Sequence, residues 1–191
     1  MRPGRRLGVI LALLATALGA FAAPAGACVG KTLVIGAVGT PEGRVVARVI
    51  AILINERTGT TVKISELPDP EAAHRAILDH EVDIVVEAAG RALERLGLPV
   101  PGDPQARYRE AKRAYLERLN LVWLPPLGFG TGGSGPAAPV ARKDTLRKFP
   151  ALSRLIAKTR GLLTGPVLAE MVAQEDPVRA ARDFLRRRRL I

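Results

Sequence analysis

The sequence contains little cysteine and few aromatic residues. Its 191 residues include one Cys, one Trp, two Tyr and four Phe, so aromatic side chains make up 4% of the chain. A single cysteine excludes an internal disulfide framework, and few rings are available to meet at any one place. Apolar residues (48%) and charged residues (25%) are close to globular averages, which excludes collagen-like sequence, wholesale disorder and a multi-span membrane protein. The length fits one domain better than two complete ones.

The N-terminal segment has the pattern of a secretory signal. Three arginines within the first six residues precede a mainly apolar run from Leu7 to Ala23, and the small residues Ala25–Ala27 follow. This pattern predicts a signal peptide over 1–27 and an exported, periplasmic protein. A transmembrane anchor is the alternative, but the run is short for a span. Cys28, directly after the expected cut, is a lipidation candidate that would give a membrane-anchored lipoprotein, although the triplet suits the ordinary signal peptidase equally well.

The chain is strongly basic. Its net charge is +11, and removal of the three arginines of the leader leaves +8. Part of this excess is the run Arg186–Arg189 near the C-terminus. One interpretation is a solvated helix end, because basic side chains stabilise the negative end of the helix dipole. The other is a patch for anionic lipid or nucleic acid, and export argues against nucleic acid.

Strands and helices alternate along the chain after the leader. Three helices begin at a capping residue followed by proline, at Thr40-Pro41, Asp69-Pro70 and Asp103-Pro104. The apolar centre of Asp83–Glu87 is typical of a parallel strand covered on both faces. The Gly- and Pro-rich stretch 128–139 predicts a flexible connector. The order β-α-β-α-β predicts an α/β fold with a mainly parallel sheet flanked by helices. Further strands are predicted at 32–35, 61–64, 121–124 and 140–142, and further helices at 91–96, 150–159, 166–174 and 177–189.

Motifs for catalytic or metal chemistry are not found. Gly30-Lys31-Thr32 is similar to the end of a phosphate-binding P-loop, but the leading glycine is missing and the triplet enters a strand. The loop 36–43 runs from strand into helix and its amides could hold an anion, yet its glycine spacing favours a tight turn. His74 and His80 lie on different faces of one helix with no third ligand nearby. We therefore expect no catalytic residue, no metal, no cofactor and no enzymatic activity.

One segment is more specific than these motifs. Residues 121–129 have the sequence Leu-Val-Trp-Leu-Pro-Pro-Leu-Gly-Phe, which resembles the hinge of the substrate-binding proteins of glycine betaine/choline-type (osmoprotectant) ABC importers. The resemblance implies a single periplasmic-binding-protein-like lobe over 28–191, built from both ends of the chain. In the family a second lobe follows the hinge, and here the connector 128–139 takes its place. The similarity continues in register at 31–36, 81–87, 90–93, 140–146 and 161–185.

The resemblance also implies a ligand site, and this site is altered here. Family members hold a quaternary ammonium group in a cage of Tyr rings, where the cation lies against the ring faces. A Tyr-Thr pair of the family corresponds to Ala88-Ala89, an early Lys corresponds to Val38, and Arg91 would repel a cation. We therefore expect the usual aromatic-cage ligand to be lost. The candidate ligand-binding residues at the old cleft edge are Val38, Thr40, Ala88, Ala89, Arg91 and Phe129.

Two functions remain open at this point. The first is solute binding for an ABC importer, with a permease as partner and with an unidentified solute, for which an anion attracted by Arg91 and the helix start at Thr40 is one candidate. The second is a degenerate interaction module that binds a protein or an anionic surface and no small solute. Membrane association through Cys28 or Arg186–Arg189 is compatible with both. The family resemblance favours the first function, and the altered site residues favour the second.

Overall fold

The computed structural model describes residues 32–130 and 133–191, so the predicted signal peptide and Cys28 lie outside the described residues. Strands and helices alternate within them, as expected. No helix in these two ranges is both long and apolar enough to cross a membrane. The elements in chain order are β1 Leu33–Val38, α1 Pro41–Thr58, β2 Val62–Leu67, α2 Pro70–Leu78, β3 Ile84–Ala88, α3 Ala89–Arg95, α4 Pro104–Leu119, β4 Leu121–Trp123, β5 Ala137–Arg142, α5 Lys143–Lys148, α6 Leu152–Ala157, α7 Gly165–Val172 and α8 Pro177–Arg187.

The three predicted helix starts are confirmed by capping hydrogen bonds. Thr40 Oγ1 accepts from the Gly43 amide at 3.0 Å at the start of α1. Asp69 and Asp103 accept from amides three residues on, at 2.7 and 2.6 Å, at the starts of α2 and α4. Each cap accepts from an amide that the first helical turn leaves without a partner. The following proline has no amide hydrogen and therefore needs no acceptor.

The sheet has the strand order β2-β1-β3-β5-β4. Strand β1 is parallel to both β2 and β3, whereas β5 is antiparallel to both β3 and β4. Four strands therefore run in one direction and only β5 runs against them, which confirms a mainly parallel α/β sheet. From β1 to β2 and from β2 to β3 the chain crosses the sheet in opposite directions. Since such crossovers are right-handed as a rule, their helices lie on opposite faces.

Strand β5 begins at Ala137, three residues before the predicted extended piece, so the connector that the sequence predicts over 128–139 overlaps a strand. The residues of β5 are buried, and Pro139 lies opposite Val86 of β3. The early start was missed because alanine and proline are poor strand formers, and proline is rare in a central strand since it lacks an amide donor. The Pro139 carbonyl still accepts from the Leu124 amide at 2.8 Å.

The C-terminal helices return to the first half of the chain. The helix predicted over 150–159 is shorter in the structure, where α6 spans Leu152–Ala157. The last helix, α8, packs along α1. Backbone bonds also tie the loop after α6 to the predicted hinge segment, from the Gly161 amide to the Pro126 carbonyl at 3.1 Å and from Leu163 to Leu127 at 2.9 Å. The two ends of the described chain thus complete one lobe.

Two apolar clusters cover the two faces of the sheet. The first lies between the sheet and α1, α6, α7 and α8, and it includes Ile84 and Ala141. The second lies between the sheet and α2, α3 and α4, and it includes the adjacent residues Val85 and Val140. Neighbouring residues of β3 and β5 thus point to opposite faces, as strand geometry requires.

Candidate functional site

A cavity of about 250 Å³ opens where β1 and β3 end. These two strands are neighbours and run in the same direction. The chain continues from β1 through α1 to β2 on one side, while β3 lies on the other side, so the cavity is at a topological switch point of the sheet. Open α/β sheets bind ligands at such points. We call it the switch-point cavity, and the residues that matter below are its apolar lining Val38, Val46, Ala47, Val86, Ala88, Phe129 and Ala137 and its polar lining Thr40, Glu42, Glu87, Arg91 and Arg95.

Five of the six candidate residues line this cavity. Val38 ends β1, Thr40 caps α1, and Ala88 ends β3. Arg91 is exposed in the first turn of α3, and Phe129 is half-buried after the predicted hinge. The sixth candidate, Ala89, does not line the cavity. It is fully buried and donates its amide to the Pro136 carbonyl at 3.1 Å.

The cavity carries charges of both signs at two depths. Glu42 and Arg91 are exposed, Arg95 is half-buried, and Glu87 is 6% exposed. An ionised side chain is rarely buried without a partner, because burial removes its hydration. The contacts of the two deeper groups therefore decide which charges remain available to a ligand.

Glu87 is the centre of a buried polar network. One carboxylate oxygen, Oε1, lies 2.9 Å from His74 Nδ1. The other, Oε2, accepts from Tyr115 Oη at 2.6 Å and from Arg95 Nη1 at 2.9 Å. Burial and the neighbouring carboxylate raise the pKa of Tyr115, so its phenol stays protonated as a donor. Glu87 is thus satisfied from three elements and is not free to bind a ligand.

Arg95 is held between two carboxylates. Its guanidinium binds Glu87 on one side and makes two hydrogen bonds, of 2.9 and 2.7 Å, to Glu71 on α2. Burial alone would lower the pKa of Arg95, but the hydrogen bond with Glu71 and the charge of Glu87 outweigh it and raise that pKa. Hydrogen bonding from Arg95 in turn lowers the pKa of Glu71. The remaining charges of the cavity are therefore Glu42 and Arg91, one of each sign.

Sequence reasoning missed Glu42 and the network around Glu87. One signal was available, because a carboxylate at the end of the continuous apolar strand β3 needs a buried partner. His74 supplies part of this partnership, while His80 is exposed after α2 with φ 64°. No group of three His, Cys, Asp or Glu side chains arranged to hold a metal ion occurs in residues 32–130 and 133–191.

The aromatic side chains lie mainly away from the cavity. Tyr115 and Trp123 meet edge to face with ring centroids 5.4 Å apart, and Tyr108 lies 6.1 Å from Trp123. Tyr108 and Tyr115 belong to α4 and Trp123 to β4, and the three rings lie in the second apolar cluster. Among the described residues, Phe129 is the single aromatic residue that lines the switch-point cavity.

A curated relative, the carnitine transport binding protein OpuCC of Listeria monocytogenes, is 28% identical over 121 residues. The match covers 62% of this chain, and the chain spans only 38% of the length of that relative.

Two solved structures have the same fold. A glycine betaine/carnitine/choline ABC transporter structure aligns with a TM-score of 0.77 at 13% identity, over 83% of this chain and 99% of the solved one. Apo YehZ from Escherichia coli aligns with a TM-score of 0.72 at 13% identity, over 84% and 100%.

A family description matches one continuous part of the sequence. It is named OpuAC, the substrate binding domain of ABC-type glycine betaine transport systems, and it matches residues 31–134, which is more than half of the chain. The match includes β1 to β4 and with them most of the switch-point cavity. The chain therefore belongs to the OpuAC family of substrate-binding domains of ABC-type glycine betaine transport systems.

Proposed function

We propose that this protein is an exported, single-lobe solute-binding component of an ABC importer whose ligand is a small carboxylate with an apolar body. The observation that carries the proposal is the lining of the switch-point cavity, which places one ring, Phe129, and an exposed cation, Arg91, at a mainly apolar site. Family membership supports the importer class and a permease as partner.

The charges of the cavity support a carboxylate. Because Glu87 and Arg95 satisfy each other, Arg91 is the cation left for a ligand. A guanidinium pairs with a carboxylate through two parallel hydrogen bonds, which gives both strength and orientation. The N-terminus of α1 adds a weaker attraction for an anion, and Glu42 in its first turn offsets part of that attraction. Glu42 would suit a solute that also carries an ammonium group.

The same lining argues against a quaternary ammonium ligand held by rings. A cation gains from contact with several ring faces, and the described lining offers Phe129 alone. Tyr108, Tyr115 and Trp123 are committed to packing with one another. Arg91 would also repel a cation at the mouth of the cavity. We therefore infer that the aromatic cage of the family is lost in this protein.

The connection between β4 and β5 supports the single-lobe organisation. In the family that this segment resembles, the hinge leads to a second lobe. Here residues 124–136 join β4 to β5, which are hydrogen-bonded neighbours in one sheet. Gly130 and Pro136 form an isolated bridge within this connection. The chain thus returns at once to the sheet that it left, and we infer one lobe over 28–191 after a cleaved leader.

Calorimetric titration of the purified protein tests the proposal. The ligands are choline, glycine betaine, carnitine and a series of short aliphatic carboxylates. We expect the carboxylates to bind and choline to fail. Arg91→Ala should weaken carboxylate binding by about 10- to 100-fold, the effect of losing a charged hydrogen bond. Glu42→Gln distinguishes the ligand classes, since it should weaken only solutes that carry an ammonium group.

Arg154→Ala is the matched control for Arg91→Ala. Arg154 is exposed on α6 and does not line the switch-point cavity, so its loss should leave binding unchanged. Choline or glycine betaine binding as tightly as the carboxylates, and insensitive to Arg91→Ala, would overturn the proposed ligand class. No heat with any ligand would favour the alternative function, an interaction module that binds a protein or an anionic surface.

A further inference from the structure

We propose that the C-terminal helix docks the protein on an anionic phospholipid membrane. The positive charge of the folded chain is concentrated there. Residues 32–176 carry nineteen basic and seventeen acidic side chains, whereas residues 177–191 carry six arginines and one aspartate. We call these six the C-terminal basic surface: Arg179, Arg182, Arg186, Arg187, Arg188 and Arg189.

The packing of α8 turns this surface outward. The apolar side of the helix, with Ala180, Ala181, Phe184 and Leu185, is buried against the body of the protein, mainly α1. Positions 179, 182 and 186 follow the spacing i, i+3, i+7, so they share one side of the helix. The helix therefore cannot present its apolar side to lipid without leaving the core, and it contacts a partner through charge.

Half of the basic surface is paired within the protein. Arg179 lies 3.8 Å from Asp183, Arg182 lies 2.5 Å from Glu56, and Arg187 lies 3.6 Å from Glu170. The other three arginines are exposed, and none of the salt bridges in the described ranges includes them. These three, at 186, 188 and 189, are the charges available to an external anion.

The backbone that carries the three available arginines is ordered by the end of α8. Arg189 has a φ of 54°, and the Leu190 amide bonds back to the Leu185 carbonyl at 2.8 Å. Leu190 is 9% exposed, and the Arg188 guanidinium lies 6.0 Å from the Phe184 ring centroid. Arginines on an ordered backbone lose less conformational freedom on binding than those of a flexible tail do.

A lipid surface is the partner that these observations favour. The helix dipole explains one or two cations in the last turn, but four consecutive arginines repel one another, and a dense array of negative charges offsets that repulsion. The family acts in membrane transport, which places an anionic lipid surface closer to this protein than nucleic acid. Membrane docking requires no solute in the switch-point cavity. The inference therefore does not depend on the ligand proposed above.

Vesicle co-sedimentation of the full chain tests this inference. The vesicles are phosphatidylcholine alone or phosphatidylcholine mixed with phosphatidylglycerol, and the difference between the two removes any contribution that is independent of lipid charge. Each basic side chain near such a surface strengthens binding severalfold, so R186Q/R188Q/R189N should weaken the anionic component by about 100-fold. Asparagine is used at 189 because it tolerates a positive φ. Raising the salt to about 1 M should abolish binding, since the Debye length falls to about 3 Å.

The matched control removes three charges from the opposite face of the protein. Arg75 on α2 and Lys112 and Arg118 on α4 are exposed and take part in none of the salt bridges of the described ranges, and their replacement by glutamine should leave vesicle binding within about threefold. Circular dichroism and thermal melting confirm that each triple variant folds. An equal loss in both variants would assign the binding to net charge, and tighter binding to duplex DNA than to the anionic vesicles would assign it to nucleic acid. Either outcome, or unchanged binding by R186Q/R188Q/R189N, would overturn the proposal.

Discussion

The two faces of the sheet are stabilised by different interactions. Between the sheet and α1, α6, α7 and α8 the contacts are almost entirely apolar, with Leu53 and Phe184 among the buried side chains. Between the sheet and α2, α3 and α4, apolar residues surround a polar network centred on Glu87. We refer to these as the apolar face and the network face.

The difference lies in how each face responds to the loss of one group. Apolar burial is roughly proportional to area, so a smaller side chain removes a graded part of the stability. A buried charge network is satisfied only as a whole, because the loss of one member leaves the others buried without partners. The network face also forms one wall of the switch-point cavity, through Glu87 and Arg95. The apolar face contributes Val46 and Ala47 of α1 to the same cavity, whereas Leu53 does not line it. Damage to the network should therefore reach the site, whereas the loss of a residue such as Leu53, away from the lining, should act mainly on stability.

The largest effect is expected on the network face, for Glu87→Ala. This change leaves the Arg95 charge, the Tyr115 hydroxyl and His74 without their common acceptor. Removal of one partner from a buried ion pair costs about 3–5 kcal/mol, and urea unfolding followed by circular dichroism measures that loss in the free energy of unfolding.

The double variant E87M/R95M sharpens this prediction. It removes both charges at similar volume, and replacement of a buried ion pair by apolar groups is often close to neutral. The remaining cost comes from His74 and the Tyr115 hydroxyl, which still lose their acceptor. We expect E87M/R95M to be more stable than Glu87→Ala alone. If the double variant is the less stable of the two, the network contributes as separate interactions and the proposed difference between the faces is wrong.

On the apolar face, Leu53→Ala is expected to cost about 3 kcal/mol. Leu53 of α1 is fully buried, and its truncation loses transfer free energy and leaves a cavity. Because the sheet separates the two sites, the loss should add to that of Glu87→Ala within about 0.5 kcal/mol. Ligand titration provides the contrast, since Leu53→Ala should leave affinity unchanged while Glu87→Ala should lower it. Equal effects of both variants on affinity would contradict the direct contribution of Glu87 to the cavity wall.

Much of the fold follows from local sequence signals. The three capping residues before proline mark the starts of α1, α2 and α4, and the apolar strands that they separate give the parallel half of the sheet. Strand β5 was placed too late because Pro139 and its alanine neighbours lack strand propensity, and their place between β3 and β4 depends on contacts distant in sequence.

The site was predictable in its outline and not in its chemistry. Five of the six candidate residues line one cavity, because the ends of parallel strands meet at one edge of the sheet. The pairing of Arg95 with Glu71 and Glu87 joins residues from three elements. No local pattern specifies such a contact, although the buried carboxylate in β3 signals that some partner must exist.

The smallest expected effect concerns the pH dependence of the network face. Arg95 lowers the pKa of Glu71 in the folded protein, so the stabilisation from this pair is complete above the usual glutamate pKa of about 4.3. It is lost as the pH falls through the lower, folded value. Because the Glu71 side chain is 54% exposed, we expect Glu71→Gln to cost about 1 kcal/mol or less at neutral pH.

Acid titration of stability measures this contribution, as the difference in unfolding free energy between the wild type and Glu71→Gln. The difference should shrink to zero as the pH falls through and below the usual glutamate range. Glu94→Gln is the control at neutral pH, since Glu94 is exposed on the same helix as Arg95 and makes none of the salt bridges of Arg95, so its replacement should leave the free energy of unfolding unchanged. A difference for Glu71→Gln that persists in acid would show that Glu71 stabilises the network face through packing and not through charge, which would leave Glu87 as the only carboxylate that Arg95 requires.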